Sequence, residues 1–199
     1  MTRPARISAS LVFLLALATI AVQVPLTYQD YGSIGATLWR LGWFFTLLTN
    51  AMVCVSFGLM SIRGQSLSAH WLGGLTLWIL IVAIVYHTLL AQLFNETGLR
   101  WWTDLGFHTA IPLATALYWL AFAPKAPLPW RAALVWLWWP ILYCVYAMLR
   151  GLGSGEYPYP FLDLNDLTLM QTAINIVGLS VAFYLGGLGI IAIARAFRR

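Results

Sequence analysis

The chain has 199 residues, of which 61% are hydrophobic and only 9% are charged. A water-soluble domain carries about 25% charged residues, so this composition excludes soluble enzymes, nucleic-acid-binding proteins and disordered chains. The formal net charge of +5 is typical of a membrane protein whose basic residues set its orientation. We therefore expect an integral membrane protein surrounded by membrane lipids.

The apolar segments predict the transmembrane helices, each of which needs about 20 apolar residues to cross the hydrocarbon core. Six segments qualify: residues 8–27, 38–60, 71–93, 105–123, 130–149 and 170–194. The connections are short except for residues 150–169, so we predict an all-α polytopic protein in which residues 1–199 form a single bundle of six transmembrane helices. The first segment also resembles a signal peptide, but its apolar run continues to Leu26 and is long enough to span.

The charged residues divide between the two ends of the predicted helices. One side holds Arg3, Arg6, Arg63, Lys125, Arg131, Arg195, Arg198 and Arg199. The other side holds Arg40, Arg100 and Arg150 together with all the acids, which are Asp30, Glu96, Asp104, Glu156, Asp163 and Asp166. Because cytoplasmic loops attract Lys and Arg, we expect both termini in the cytoplasm and the acids outside, in a bacterial cytoplasmic (inner) membrane.

Polar side chains inside the predicted helices gather in the outer half of the bundle. They are Thr46, Thr49 and Asn50 on the second helix, His87 on the third, Asp104 and His108 at the start of the fourth, and Gln171 and Asn175 on the sixth. At 1.5 Å per residue, Thr46 lies about 12 Å deep and His108 about 5 Å deep. Asp104 precedes His108 by four residues, so its carboxylate is within reach of the imidazole. For each residue alone, helix-to-helix hydrogen bonding is the simpler explanation.

These residue types favour a hydroxyl nucleophile activated by an imidazole, since His accepts protons near neutral pH. An Asn amide, or an N–H group in a broken helix, would hold the developing oxyanion. Pro112 lacks an N–H group and would leave the carbonyl of His108 without its helical donor. A metal site built from His87, His108 and Asp104 is a weaker alternative, and we expect neither a metal nor a cofactor.

Three strings point to a family. Gly42-Trp-Phe-Phe-Thr-Leu-Leu-Thr-Asn50, His108-Thr-Ala-Ile-Pro112 and Tyr157-Pro-Tyr-Pro-Phe-Leu-Asp163 occur in this order. Together they resemble the androgen-induced protein and androgen-dependent TFPI-regulating protein family, in its bacterial six-span branch. The resemblance covers most of the chain from Leu38 to Asn175.

The resemblance implies an integral membrane hydrolase with a threonine nucleophile and a histidine partner, which correspond to Thr46 and His108. In the animal members the substrates are esters of fatty acids with hydroxy fatty acids, so the expected partner is a lipid. This chain has a second candidate nucleophile, Thr49, because its string reads Thr-Leu-Leu-Thr-Asn. In supporting roles we expect Asp104 to orient His108, and Asn50 or His87 to polarise the ester carbonyl.

The outer loop between the fifth and sixth helices combines glycines with an aromatic, proline-stiffened segment. Tyr157, Tyr159 and Phe161 are candidates for a substrate lid, or for an ordinary interfacial anchor. Two other functions stay open. One is a small transporter, although no acid lies near the midplane and no repeat is visible; the other is a non-catalytic membrane scaffold.

Overall fold

The computed structural model describes residues 1–197, so Arg198 and Arg199 of the charge analysis lie outside the described residues. The chain is 80% helical, and residues 1–197 contain no strand. Six helical stretches within that range are long and apolar enough to cross a membrane. The prediction of an all-α polytopic membrane protein is therefore confirmed.

The helices run in the following order. They are α1 (Arg3–Tyr31), α2 (Ile34–Leu41), α3 (Phe45–Arg63), α4 (Ala69–Val85), α5 (Gly98–Leu105), α6 (Ile111–Phe122), α7 (Ala132–Val135), α8 (Trp138–Ser154) and α9 (Leu169–Ala196). Two π-helical turns, Tyr86–Leu90 and Gly106–Ala110, continue α4 and join α5 to α6. The spans are Arg3–Tyr31, Phe45–Arg63, Ala69–Leu93, Gly98–Phe122, Ala132–Ser154 and Leu169–Ala196.

The backbone forms two compact units, of which the first covers residues 1–126. In this unit α1 packs on α3, α3 on α4, α4 on α6 and α6 on α1, which makes a closed ring of four helices. Small residues of α1 such as Ala9 and Ala16 are fully buried and let its neighbours approach closely. The rings of Phe57 and Tyr118 meet edge to face, 4.9 Å apart, between α3 and α6.

Hydrogen bonds at the ends of the helices in the first unit agree with the prediction that successive helices run in opposite directions. The amino group of Met1 donates to the carbonyl of Gly64 at 3.1 Å, and Arg6 Nε donates to that of Ser61 at 2.8 Å. These bonds join the N-terminus to the connection after α3. Arg100 pairs with Asp30 at 2.7 Å, which joins the start of α5 to the end of α1. Arg100 and Asp30 are both predicted on the outer side, and the bonds of Met1 and Arg6 lie beside Arg63, which is predicted on the same side as Arg6.

The second span begins later than the sequence predicted. The apolar run suggests a continuous helix from Leu38, but the chain leaves helical geometry at Phe44 (φ −92°, ψ 131°) and α3 begins at Phe45. Thr46 is therefore in the first turn of its helix, and the predicted depth of about 12 Å below a start at Leu38 is wrong. Hydropathy missed this break because the residues around it are aromatic and apolar.

The residues before the break form the short helix α2. Its side chains Ile34, Leu38 and Trp39 are exposed, while Arg40 lies over the rings of Trp43 and Phe44 at 4.9 and 4.8 Å. A cationic and aromatic helix of this kind is typical of a membrane interface. Leu38 thus belongs to a separate helix and not to the second span.

The second unit covers residues 127 onward and contains α7, α8 and α9. In the fifth span, a tight turn at Trp136 and Leu137 separates α7 from α8. Pro140 follows near the start of α8, where a residue without an N–H group is tolerated. Arg195 donates to the carbonyl of Leu128 at 2.9 Å, which holds the end of α9 to the segment before α7.

Candidate functional site

His108 lies in the π-helical turn between α5 and α6. Its Nδ1 atom is 3.0 Å from Oδ1 of Asp104 and 3.1 Å from the backbone carbonyl of the same residue. A carbonyl oxygen only accepts hydrogen bonds, so Nδ1 carries the proton and, in the neutral ring, Nε2 keeps a lone pair. Within residues 1–197, Nε2 has no hydrogen-bond partner. The contact expected from the four-residue spacing of Asp104 and His108 is present.

Tyr86 completes this arrangement from the end of α4. Its hydroxyl donates to Oδ2 of Asp104 at 2.5 Å, and its ring stacks on the imidazole of His108 with 3.7 Å between centroids. Sequence reasoning missed Tyr86, because an aromatic residue near a helix end looks like any member of an interfacial belt. We call Tyr86, Asp104 and His108 the histidine cluster.

The two candidate threonines differ in accessibility. Thr49 is completely buried, whereas Thr46 retains 8% of its accessible surface. Thr46 is also in the first turn of α3, and this helix begins without a side-chain cap. The backbone N–H groups of a first turn have no acceptor within their own helix. The hydroxyl of Thr46 therefore lies at a helix start whose backbone N–H groups have no side-chain cap.

Asn50 connects α3 to the turn that carries His108. Its Nδ2 atom donates to the carbonyl of Thr46 at 2.8 Å and to that of Phe107 at 3.4 Å. An amide nitrogen has two hydrogens, so these bonds use both. No donor of the Asn50 side chain remains for a substrate carbonyl in this arrangement, so its expected role in polarising an ester stays a prediction that this geometry does not support.

Pro112 affects the carbonyl of Phe107 as well as that of His108. In an ordinary helix the missing N–H group of Pro112 would leave the carbonyl of His108 without a donor. Here the turn is π-helical, and Ile111 donates to Gly106, five residues back. Residue 111 therefore does not serve the carbonyl of Phe107, and Pro112 has no N–H group for it either, so the Phe107 carbonyl is left without its helical donor.

His87 lies in the other π-helical turn, at the end of α4. Its Nε2 atom is 3.0 Å from Oγ1 of Thr109, and its side chain is exposed. Thr109 is a hydroxyl beside an imidazole that sequence reasoning passed over, although it lies within the His108-Thr-Ala-Ile-Pro112 string. Insertions of this π-helical type occur frequently at functional sites, and both histidines of the candidate site lie in one.

The lid candidates belong to the second unit and are held within it. The ring of Tyr157 packs over Gly151, where an added Cβ atom would be 2.2 Å from Cε1 of the tyrosine. Tyr159 stacks on Phe161 with centroids 5.0 Å apart, and Asn175 Nδ2 donates to the Phe161 carbonyl at 3.0 Å.

The polar residues predicted on α9, Gln171 and Asn175, form local hydrogen bonds. Gln171 forms a capping box with Thr168 at the start of the helix, and Asn175 binds the loop carbonyl of Phe161. These hydrogen bonds account for the side chains of Gln171 and Asn175 locally.

Within residues 1–197, no group of three or more His, Cys, Asp and Glu side chains has the geometry to hold a metal ion. No protein-family model matches the chain, and neither a curated protein nor a solved structure matches it. The family resemblance of the three strings therefore stays a prediction.

Proposed function

We propose that this protein is an integral membrane hydrolase that cleaves fatty-acid esters, with Thr46 as the nucleophile and His108 as the general base. The observation that carries the proposal is the fixed ring of His108. Asp104 holds the proton on Nδ1, and Tyr86 stacks on one face of the imidazole. A carboxylate that fixes the tautomer of a histidine is what a general base for a hydroxyl nucleophile requires.

In the proposed reaction Nε2 of His108 takes the proton of the Thr46 hydroxyl while Oγ1 attacks the ester carbonyl carbon. The tetrahedral intermediate collapses, the bond to the alcohol oxygen breaks, and His108 returns the proton to the departing alcohol. Water then gives a proton to His108 and its oxygen attacks the acyl group on Thr46. The fatty acid leaves, and the Thr46 oxygen recovers its proton from His108.

The start of α3 supplies the stabilisation of the oxyanion in this mechanism. The first-turn N–H groups of Thr46 and Leu47 have no acceptor within the helix, and the helix dipole favours negative charge at this end. The Leu47 amide follows the nucleophile directly, which is the position of an oxyanion-hole donor in hydrolases with a nucleophile at a helix start. These backbone groups take the role that the sequence had suggested for Asn50.

We place the protein in the cytoplasmic membrane of a bacterium, with both termini inside and a lipid ester as its partner. The support is the segregation of basic residues, together with the hydrogen bonds that join Met1 to Gly64 and Asp30 to Arg100. Reactivity of single cysteines placed in the 64–68 and 95–97 connections, in intact cells, tests this orientation. Labelling of the 64–68 connection from outside would contradict it.

The experiment for the hydrolase uses a fluorophosphonate probe on the purified protein in detergent. We expect labelling of the unmodified chain, its loss in Thr46→Ala and His108→Ala, and retention in Thr46→Ser. Thr49→Val is the matched control, because Thr49 is buried one turn away, and its labelling should persist. An unlabelled wild-type chain, or labelling that survives Thr46→Ala, contradicts the proposal and favours the transporter or scaffold function.

A further inference from the structure

We infer that Asn50 is a positioning residue for His108, because its side-chain amide replaces the hydrogen bond that Pro112 withdraws from the Phe107 carbonyl. The inference rests on the proposed function for its catalytic consequence. The structural part of the inference is that one buried amide fixes the position of the His108 ring, and this part is measured separately from catalysis.

The need for Asn50 follows from the register of the π-helical turn. Ile111 donates its N–H group to Gly106, so it does not serve Phe107, and Pro112 has no N–H group to donate. Phe107 is buried, and a buried carbonyl without a partner is destabilising because it has lost its hydrogen bonds to water. Asn50 Nδ2 is the donor that reaches this carbonyl.

The same amide ties the two halves of the proposed site together. Its other hydrogen goes to the carbonyl of Thr46, while Phe107 directly precedes His108 in the chain. Asn50 itself is completely buried, so water does not compete for either bond. The side chain thereby fixes the start of α3 against the turn that carries the imidazole.

Pro112 offers a specific test, because replacing it returns the missing donor. We would compare Asn50→Leu, Pro112→Ala and the double variant N50L/P112A. Thr115→Val is the matched control, since Thr115 is buried on α6 and its hydroxyl has no partner among residues 1–197. Two signals are recorded for each protein: fluorophosphonate labelling rate, and ¹⁵N resonances of the histidine rings.

In Asn50→Leu we expect labelling to fall about tenfold or more and the Nδ1–H signature of His108 to disappear. The double variant should regain at least half of the lost labelling rate on a logarithmic scale, and the Nδ1–H signature should return with it. The labelling rates of Pro112→Ala and Thr115→Val should stay near that of the wild type. If Asn50→Leu does not fold, the double variant should fold, because residue 112 again supplies a donor.

Wild-type labelling and an unchanged His108 signature in Asn50→Leu would overturn the inference, and so would a double variant no better than Asn50→Leu. Failure of the proposed function looks different. In that case the wild-type chain is unlabelled, while the ring resonances still respond to Asn50→Leu and recover in the double variant.

Discussion

The ring of Tyr86 lies parallel to the imidazole of His108, with an angle of 7° between the planes and 3.7 Å between their centroids. The hydroxyl of the same tyrosine donates to the carboxylate that holds Nδ1 of His108. One side chain therefore restrains the imidazole by packing and, through Asp104, by hydrogen bonding. In the proposed mechanism this double restraint leaves Nε2 as the nitrogen that accepts the proton.

The two restraints can be separated at Tyr86. Tyr86→Phe keeps the stacked ring and removes the bond to Asp104, so we expect probe labelling to fall by about threefold to tenfold, as for a net loss of about 1 kcal/mol. Tyr86→Leu removes both the stacked ring and the hydrogen bond, so its labelling rate should fall further. Labelling rates of the two variants check this order, and equal rates would show that the ring contributes nothing beyond its hydroxyl.

Asp104→Asn removes the charge that holds the proton on Nδ1 of His108. We expect the labelling rate to fall by about 10²–10⁴-fold, because the negative charge that orients His108 and stabilises its protonated form is lost, and loss of the carboxylate in a hydrolase triad has an effect of this order. Asp30→Asn is the control, since Asp30 forms an ion pair with Arg100 apart from the histidine cluster. A fall of the same size in both variants would assign the effect to folding.

His87 and Thr109 form the competing hydroxyl–imidazole pair. If His108 is the base, His87→Gln and Thr109→Val should each keep labelling within about threefold, as expected when a partly exposed hydrogen bond worth about 0.5 kcal/mol is lost. Peptide mapping of the labelled protein gives an independent readout. A modified residue at Thr109, with labelling lost in His87→Gln, would move the site to this pair.

Gly106 permits the close contact of α1 with the turn that carries His108. A Cβ atom there would lie 2.7 Å from Cγ2 and 2.8 Å from Oγ1 of Thr19. We expect Gly106→Ala to lower the free energy of unfolding by about 1–3 kcal/mol, and the added Thr19→Ala to restore most of it, because it removes both atoms. Thermal unfolding in detergent measures this cycle. Additive losses would show that Thr19 is not the obstacle.

The role of the 157–161 loop can be tested by substituting Gly151, on which Tyr157 packs. Gly151→Ala should displace Tyr157, whereas Gly153→Ala is the matched control because its Cβ atom would meet nothing within 4 Å. If the loop is a substrate lid, Gly151→Ala lowers turnover of a lipid ester and leaves membrane insertion intact. Equal turnover in both variants would make the loop an interfacial anchor.

The sequence by itself determined the helical membrane class and the number of spans, because apolar length and low charge are properties of each segment alone. It also located Asp104 and His108 one helical turn apart, since a contact between residues i and i+4 is local. The grouping of charged residues at the helix ends followed for the same reason.

Only the tertiary structure decided how the polar residues combine. The break before Phe45 is hidden in a continuous apolar run, so hydropathy extended the second helix to Leu38 and misplaced Thr46. The stacking of Tyr86 on His108 joins different helices, and no local pattern encodes it. The role of Asn50 depends on a π-helical register in which Ile111 donates to Gly106 and leaves the Phe107 carbonyl without a helical donor, and such a register is a property of packing rather than of composition.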